Sequence, residues 1–231
     1  GVRRDRRQTA YCPDGGLVHP VSERTRIRRV PENAVSDREQ LNAVLDAGLI
    51  AHVGIVDHHQ PFVLPVGYAR RGDEVIVHGS SGSRLFRCLA DGVPACVTVT
   101  ILDGLVYARS VFHSSMNYRC AMLLGSGTRL SGDDELDALR VLSDHLLPGR
   151  WDHARGPSKK ERAATLTISI PIAEWSVKVG TGDPEDDHED IVTEPWRSLW
   201  AGQVPITQHF LPAVTDPQVP EGTALPDYLP S

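Results

Sequence analysis

The sequence predicts a mainly β protein, an antiparallel barrel with peripheral helices. At least six short segments rich in apolar and β-branched residues follow one another, and turn chemistry separates them. Only two stretches carry a long helical periodicity, and no internal repeat interrupts the succession of hairpins. With 231 residues and 40% hydrophobic content, one core of ordinary size forms without disulfides or structural metals as staples.

In chain order, residues 1–30 read as a flexible basic arm, because Pro13, Gly15, Gly16 and Pro20 break any regular element. Ser36-Asp37-Arg38-Glu39 opens a helix, with Ser36 as cap and Glu39 completing a capping box. Leu41, Val44 and Leu45 share its buried face, and Gly48 ends it. Strands are predicted over 49–56 and 61–68, joined by a turn at Asp57-His58-His59-Gln60. After a turn at Arg71-Gly72-Asp73, a third strand covers 74–78 and a short helix 83–91. Pro94–Leu102 and Leu105–Phe112 read as strands around a hairpin at Asp103-Gly104, with a polar loop at 113–117 and a further strand over 118–130. A second amphipathic helix spans 133–147, with Leu136, Leu139, Leu142 and Leu146 on one face, and stops at Pro148-Gly149. Two more strands are expected at 164–170 and 173–179. The barrel domain is thus set at 31–180, and 181–231 forms an irregular, acidic, Pro-rich extension packing on the barrel or a dimer interface.

Composition narrows the function classes. No run of eighteen apolar residues exists, so no membrane-spanning helix is expected, and the Arg-rich start lacks the apolar segment of a secretory signal. Cys12, Cys88, Cys96 and Cys120 show no paired spacing, which suits free thiols in a reducing cytoplasm and speaks against a metal site. Residues 1–30 hold eight arginines against three acids, so within a net charge of −6 the remainder carries −11. Without interleaved aromatics beyond Tyr11 the arm reads as solvated, and no nucleic-acid partner is expected. Asp183–Glu194, with seven acids, reads as a solvated loop.

The segment His78-Gly79-Ser80-Ser81-Gly82-Ser83-Arg84 carries the chemistry. A strand runs into small hydroxylic residues and then a helix whose first turn carries an arginine. Free N–H groups and the dipole at a helix start suit a phosphate, and Ser80, Ser81, Ser83 and Arg84 can all donate to it. Gly79 and Gly82 would let the backbone approach an anion. From composition alone, a plain strand–helix connection in which Ser83 merely caps fits equally well.

Taken with its neighbours, this segment resembles a known family. Gly48–Gly54, Pro61–Val66, His78-Gly79-Ser80, Val97–Thr100, Phe112–Arg119 and Trp200–Pro205, in that order and spacing, are similar to the pyridoxamine 5'-phosphate oxidase-related, FMN-binding split β-barrels, with the nitroimidazole-resistance-like flavoproteins as the nearest branch. The resemblance covers about residues 26–206. It implies a homodimer with FMN at the subunit interface, the strand at Val63, Pro65 and Val66 along the flavin ring, and the ribityl phosphate on His78, Ser80, Ser81, Ser83 and Arg84. Lys178 and Trp200 would reach the flavin of the second copy. Leu85 stands where oxidase members carry a lysine, so the resemblance argues for a flavin more than for that particular reaction.

Three functions follow as expectations. The first is an FMN-dependent oxidoreductase acting on a small organic substrate, with His52, His113, Asn117 and Arg119 as possible pocket residues. The second exchanges FMN for haem in the same dimer cleft, with His52, His78 or His113 as axial ligand. The third is a non-catalytic flavin-binding or sensing module. No catalytic side chain is assigned, because a flavin carries the electron chemistry itself.

Overall fold

Alternation along the strands decides what faces inward in the computed structural model, which describes residues 22–230. The elements, in chain order, are β1 (Ala34–Val35), α1 (Arg38–Ala47), β2 (Ile50–Asp57), β3 (Gln60–Arg71), β4 (Glu74–Ser80), α2 (Arg84–Ala90), β5 (Pro94–Tyr107), β6 (Ser115–Ser126), β7 (Thr128–Arg129) and α3 (Gly132–Leu146). Then come α4 (Arg150–His153), α5 (Lys159–Ala163), β8 (Thr165–Pro171), β9 (Glu174–Gly180), α6 (His188–Val192) and β10 (Gly202–Pro205). The strands form one antiparallel sheet in the order β1-β9-β6-β5-β2-β3-β4-β8-β7, with β10 added to β5. The sheet coils but does not close, giving a split barrel.

On β2, Ala51, Val53 and Ile55 are buried while His52 and Val56 are exposed, the period-two pattern of a strand with one wet face. Val75, Val77, Val97, Val99, Ala121, Leu123, Ile168, Ile170 and Val177 complete the interior, and Leu85, Phe86 and Leu89 of α2 plug it. A second, smaller cluster of Ala69, Ile76, Ala138 and Leu142 holds α3 on the outer face of β3 and β4. The buried Tyr68 hydroxyl donates to Leu45 O at 2.6 Å and ties β3 to α1; burial, reinforced by the charge of Asp46, pushes its phenol well up. Gly48 ends α1 for a packing reason, since a Cβ there would lie 2.7 Å from the Tyr68 hydroxyl.

The structure corrects several expectations. Asp37, not Ser36, caps α1: its Oδ1 accepts from Glu39 N at 3.0 Å, and no reciprocal capping box forms. Asp37→Ala is expected to cost about 1 kcal/mol, read as a lower denaturant midpoint at unchanged slope. Asp103-Gly104 is no hairpin. β5 runs through it with a bulge between Leu102 and Gly104, because β6 and β10 flank the strand there on either side. Gly104 is needed for the approach of β10, as a Cβ would meet Val204 O at 3.1 Å. The connection lies instead at 108–114. Within the basic segment, 22–30 lies against the barrel: Ser22 and Arg24 both bond Glu174 of β9, and Thr25 is buried. Cys12 and residues 1–21 lie outside the described residues. The C-terminal stretch contributes β10, and its Tyr228 packs on α4, donor Arg150 Nη1 to the Tyr228 hydroxyl at 3.1 Å. Among the described residues no helix is long and apolar enough to cross a membrane.

Candidate functional site

The sharp strand–helix junction at 80–84 is built by its own hydrogen bonds. Gly82 N donates to Ser80 Oγ (3.2 Å), Ser83 N to Ser80 O (2.9 Å) and Ser81 N to Ala164 O (2.9 Å). Ser83 occupies the N-cap of α2 in an extended conformation, yet its hydroxyl makes no capping bond. The start of α2 is therefore uncapped by its own side chain, which suits an external anion. Arg84 is engaged by β2 and β3: its guanidinium stacks 4.5 Å from the Phe62 ring centroid, and its Nε lies 3.7 Å from Asp57 Oδ2. Gly79 is required by the core and not by an anion, because a Cβ would overlap the Phe86 ring.

Strand parity separates the predicted flavin contacts. Val63 and Pro65 lie on the outer face of β3, in register with Gly54 and His52 of β2. His52 is flanked there by Thr98 of β5. Val66 packs against the core instead, leaving only its backbone to serve that face. Trp200 is 67% exposed, its ring 5.7 Å from that of Tyr107, and Lys178 Nζ donates to Arg29 O at 3.1 Å.

Of His52, His113, Asn117 and Arg119, only His113 and Asn117 share a cleft, one of about 330 Å³ beside Phe112 and Gly180, while His52 lies exposed on β2. Arg119 shares the parity of the buried Ala121 and Leu123 and forks onto Asp103 at 2.9 and 2.7 Å. Asn117 donates to Gly182 O and to Gln203 Oε1. His113 sits beside Asp187 Oδ2 at 3.2 Å, in a loop whose Phe112 is 86% exposed. That loop is held by the acidic run expected to be fully solvated. The Asp186 side chain is 2% exposed and pairs with Arg109 Nη1 at 2.8 Å and Arg109 N at 2.6 Å. Burial alone would raise its pKa, but the Arg109 donors outweigh it and hold the carboxyl below the usual range. With the folded-state pKa depressed, this anchor stabilises at neutral pH and is lost as pH falls through the acid range, below the ordinary Asp value of about 3.9. Asp186→Asn is expected to melt lower at pH 7, with a shallower decline in Tm below pH ~4.

His78 is turned to the other side of the sheet from α2. It faces the surface that α3 covers, and it lines a cleft of about 540 Å³. Leu139, Leu142, Leu146 and Leu147, with Trp151, make the cleft apolar, while Arg155 and Arg162 bring cations to it. Arg155 forks onto Glu161 at 2.8 and 2.6 Å, and Arg162 bonds the buried Glu135 at 2.6 Å. His78 is exposed on the side of the cleft, yet the protein packed around it desolvates the ring, which lowers its pKa below the ordinary value and favours the neutral imidazole. Among the described residues it has no hydrogen-bond partner. This cleft was not legible in the sequence beyond the apolar face of α3, since its walls come from β4, α3, α4, α5 and β8.

Residues 37–179 match the family described as Pyridoxamine 5'-phosphate oxidase. The chain is similar to the FAD and haem binding protein from Mycobacterium smegmatis, at 41% identity over 85% of this chain and 95% of that one, with a TM-score of 0.81. It is equally similar to the flavocytochrome Anf3 from Azotobacter vinelandii, at 41% identity over 90% and 95% of the two chains, TM-score 0.83. A candidate 5-nitroimidazole antibiotic resistance protein from Bacteroides thetaiotaomicron shares the fold, at 18% identity over 63% and 86%, TM-score 0.55. No curated protein matches the chain.

Proposed function

The chain belongs to the pyridoxamine 5'-phosphate oxidase family, and from that premise we propose that it is an oxidoreductase holding both a flavin and a haem. The observation that carries this reading is the neutral, unpartnered His78 imidazole on the wall of an apolar cleft of about 540 Å³. Two relatives at 41% identity, one described as binding FAD and haem and one as a flavocytochrome, support it. FAD is favoured over FMN for the same reason. In this reading flavin and haem would occupy two places, where the sequence offered them as alternatives for one cleft.

When bound, the flavin would supply one- and two-electron transfer, and the haem one-electron transfer. The residues of the chain divide the remaining work. His78 would hold the iron as a neutral imidazole. The leucines of α3 and Trp151 would exclude water from it, and Arg155 and Arg162 are the cations suited to carboxylates at its edge. Ser80, Ser81 and Ser83, at the uncapped start of α2, would hold flavin phosphate, with Arg84 swinging from Phe62 and Asp57 to join them. Val63 and Pro65 would line the flavin ring.

A homodimer completes the proposal. Ile50, Val63, Phe112 and Trp200 are large apolar residues exposed on the barrel, which would suit burial against a second copy. In the dimer Lys178 and Trp200 would border the flavin of the second copy. The unpaired Cys88, Cys96 and Cys120 suit a reducing cytoplasm. The test is the absorption spectrum of the purified protein after reconstitution with FAD, FMN and haemin. Flavin bands together with a Soret band, and release of FAD on denaturation, are expected. A protein that takes up neither group would overturn the reading, and uptake of FMN in preference to FAD would correct the flavin.

A further inference from the structure

We infer that Thr167 is the positioning residue for His78, accepting a hydrogen bond from the ring nitrogen that faces away from the cleft. This rests on the reading of His78 as the iron ligand. Thr167 of β8 stands directly opposite His78 of β4 in the antiparallel register. Directly opposed residues project to the same face, with Cβ atoms about 4.5–5.5 Å apart, within reach of a side-chain hydrogen bond. The flanking Leu166 and Ile168 point into the core, so Thr167 shares the outer face with His78 beneath α3. Its residue is 1% exposed, and its Oγ1 is buried without a partner.

A buried hydroxyl without a partner and an imidazole that bonds no other described residue therefore stand on one rung of the ladder. The main chain of Thr167 is fixed on both sides, its carbonyl accepting from Leu130 N at 2.9 Å, so the hydroxyl has little freedom to look elsewhere. A neutral imidazole that gives one nitrogen to a metal carries a proton on the other. Metal-bound histidines ordinarily donate that proton to a neighbouring acceptor, which sets the ring plane and raises the basicity of the ligand. Thr167 Oγ1 is that acceptor. The other hydroxyls of the cleft are worse placed: Thr165 Oγ1 already donates to Glu161 O at 2.9 Å, and Ser143 approaches from α3 on the opposite wall.

The experiment compares haem-loaded wild type with Thr167→Val, Thr167→Ser, Ser143→Ala and His78→Ala, reading haem affinity by titration and the iron–histidine stretch by resonance Raman. Thr167→Val is expected to bind haem roughly 10-fold more weakly and to lower the stretching frequency. Thr167→Ser and Ser143→Ala should match wild type, and His78→Ala should lose the histidine-bound spectrum. A Thr167→Val protein identical to wild type, or the same shift in Ser143→Ala instead, overturns the role of Thr167 while leaving His78 as ligand. A His78→Ala protein that keeps the wild-type spectrum overturns the haem reading itself, and with it this inference.

Discussion

His78→Ala is expected to yield a folded protein that retains flavin but lacks the Soret band of histidine-bound haem after reconstitution with haemin. His78 lies on the outer side of β4 while α2 and the core lie on the inner side, so removing the imidazole takes no contact from the barrel interior. The leucine-lined cleft would still admit a hydrophobic ring, so some loose haem uptake can persist. What should vanish is the spectrum of an iron–imidazole bond. Free imidazole added to the variant should restore much of it, because the cavity left by the side chain accommodates the ring. Recovery by imidazole distinguishes a lost ligand from a collapsed cleft. His52 and His113 provide the contrast: one faces the outer side of β2 beside Pro65 and Thr98, the other pairs with Asp187. Alanine at either should leave the Soret band in place, and its loss in His52→Ala would move the ligand to the outer face of β2.

Gly79→Ala is expected to lower the stability of the barrel markedly. The added methyl overlaps the ring of Phe86, a residue 6% exposed that plugs the barrel from α2. Overpacking of this kind costs about 1–3 kcal/mol and sometimes more, since neither a β-strand backbone nor a buried ring yields easily. The lower Tm should be accompanied by weaker flavin retention, because displacing Phe86 tilts the start of α2 and the serines before it. Combining Gly79→Ala with Phe86→Leu should recover part of the stability. If the double variant is as unstable as the sum of both single ones, the clash with Phe86 is not the cause.

Much was legible without coordinates, and in a consistent pattern. Local rules found α1, α2, α3 and most strands, because burial of one face imposes period two or 3.6 on any sequence that folds this way. They failed where several elements meet. Asp103-Gly104 has the chemistry of a turn, but the pairing of β5 with both β6 and β10 makes it a bulge. Asp186 reads as one more acid in a solvated run, and only the fold brings Arg109 to it across 77 positions of sequence. Gly79 reads as room for an anion, whereas the core uses it as room for Phe86.

The segment from His78 to Arg84 shows the same division within seven residues. Sequence alone determined that a strand meets a helix there, with hydroxyls and a cation at the junction, and that its surroundings are those of a split-barrel flavoprotein. Tertiary structure alone decided which side of the sheet each residue serves. Successive side chains on a strand point to opposite faces, so His78 looks toward α3 while Gly79 looks into the core, and Arg84 turns to Phe62 and Asp57. What lies over each face is set by α3, α4 and α5, which begin more than fifty residues further along the chain. No local pattern around His78 encodes that cover, and the cleft exists only once distant helices have packed against the strand.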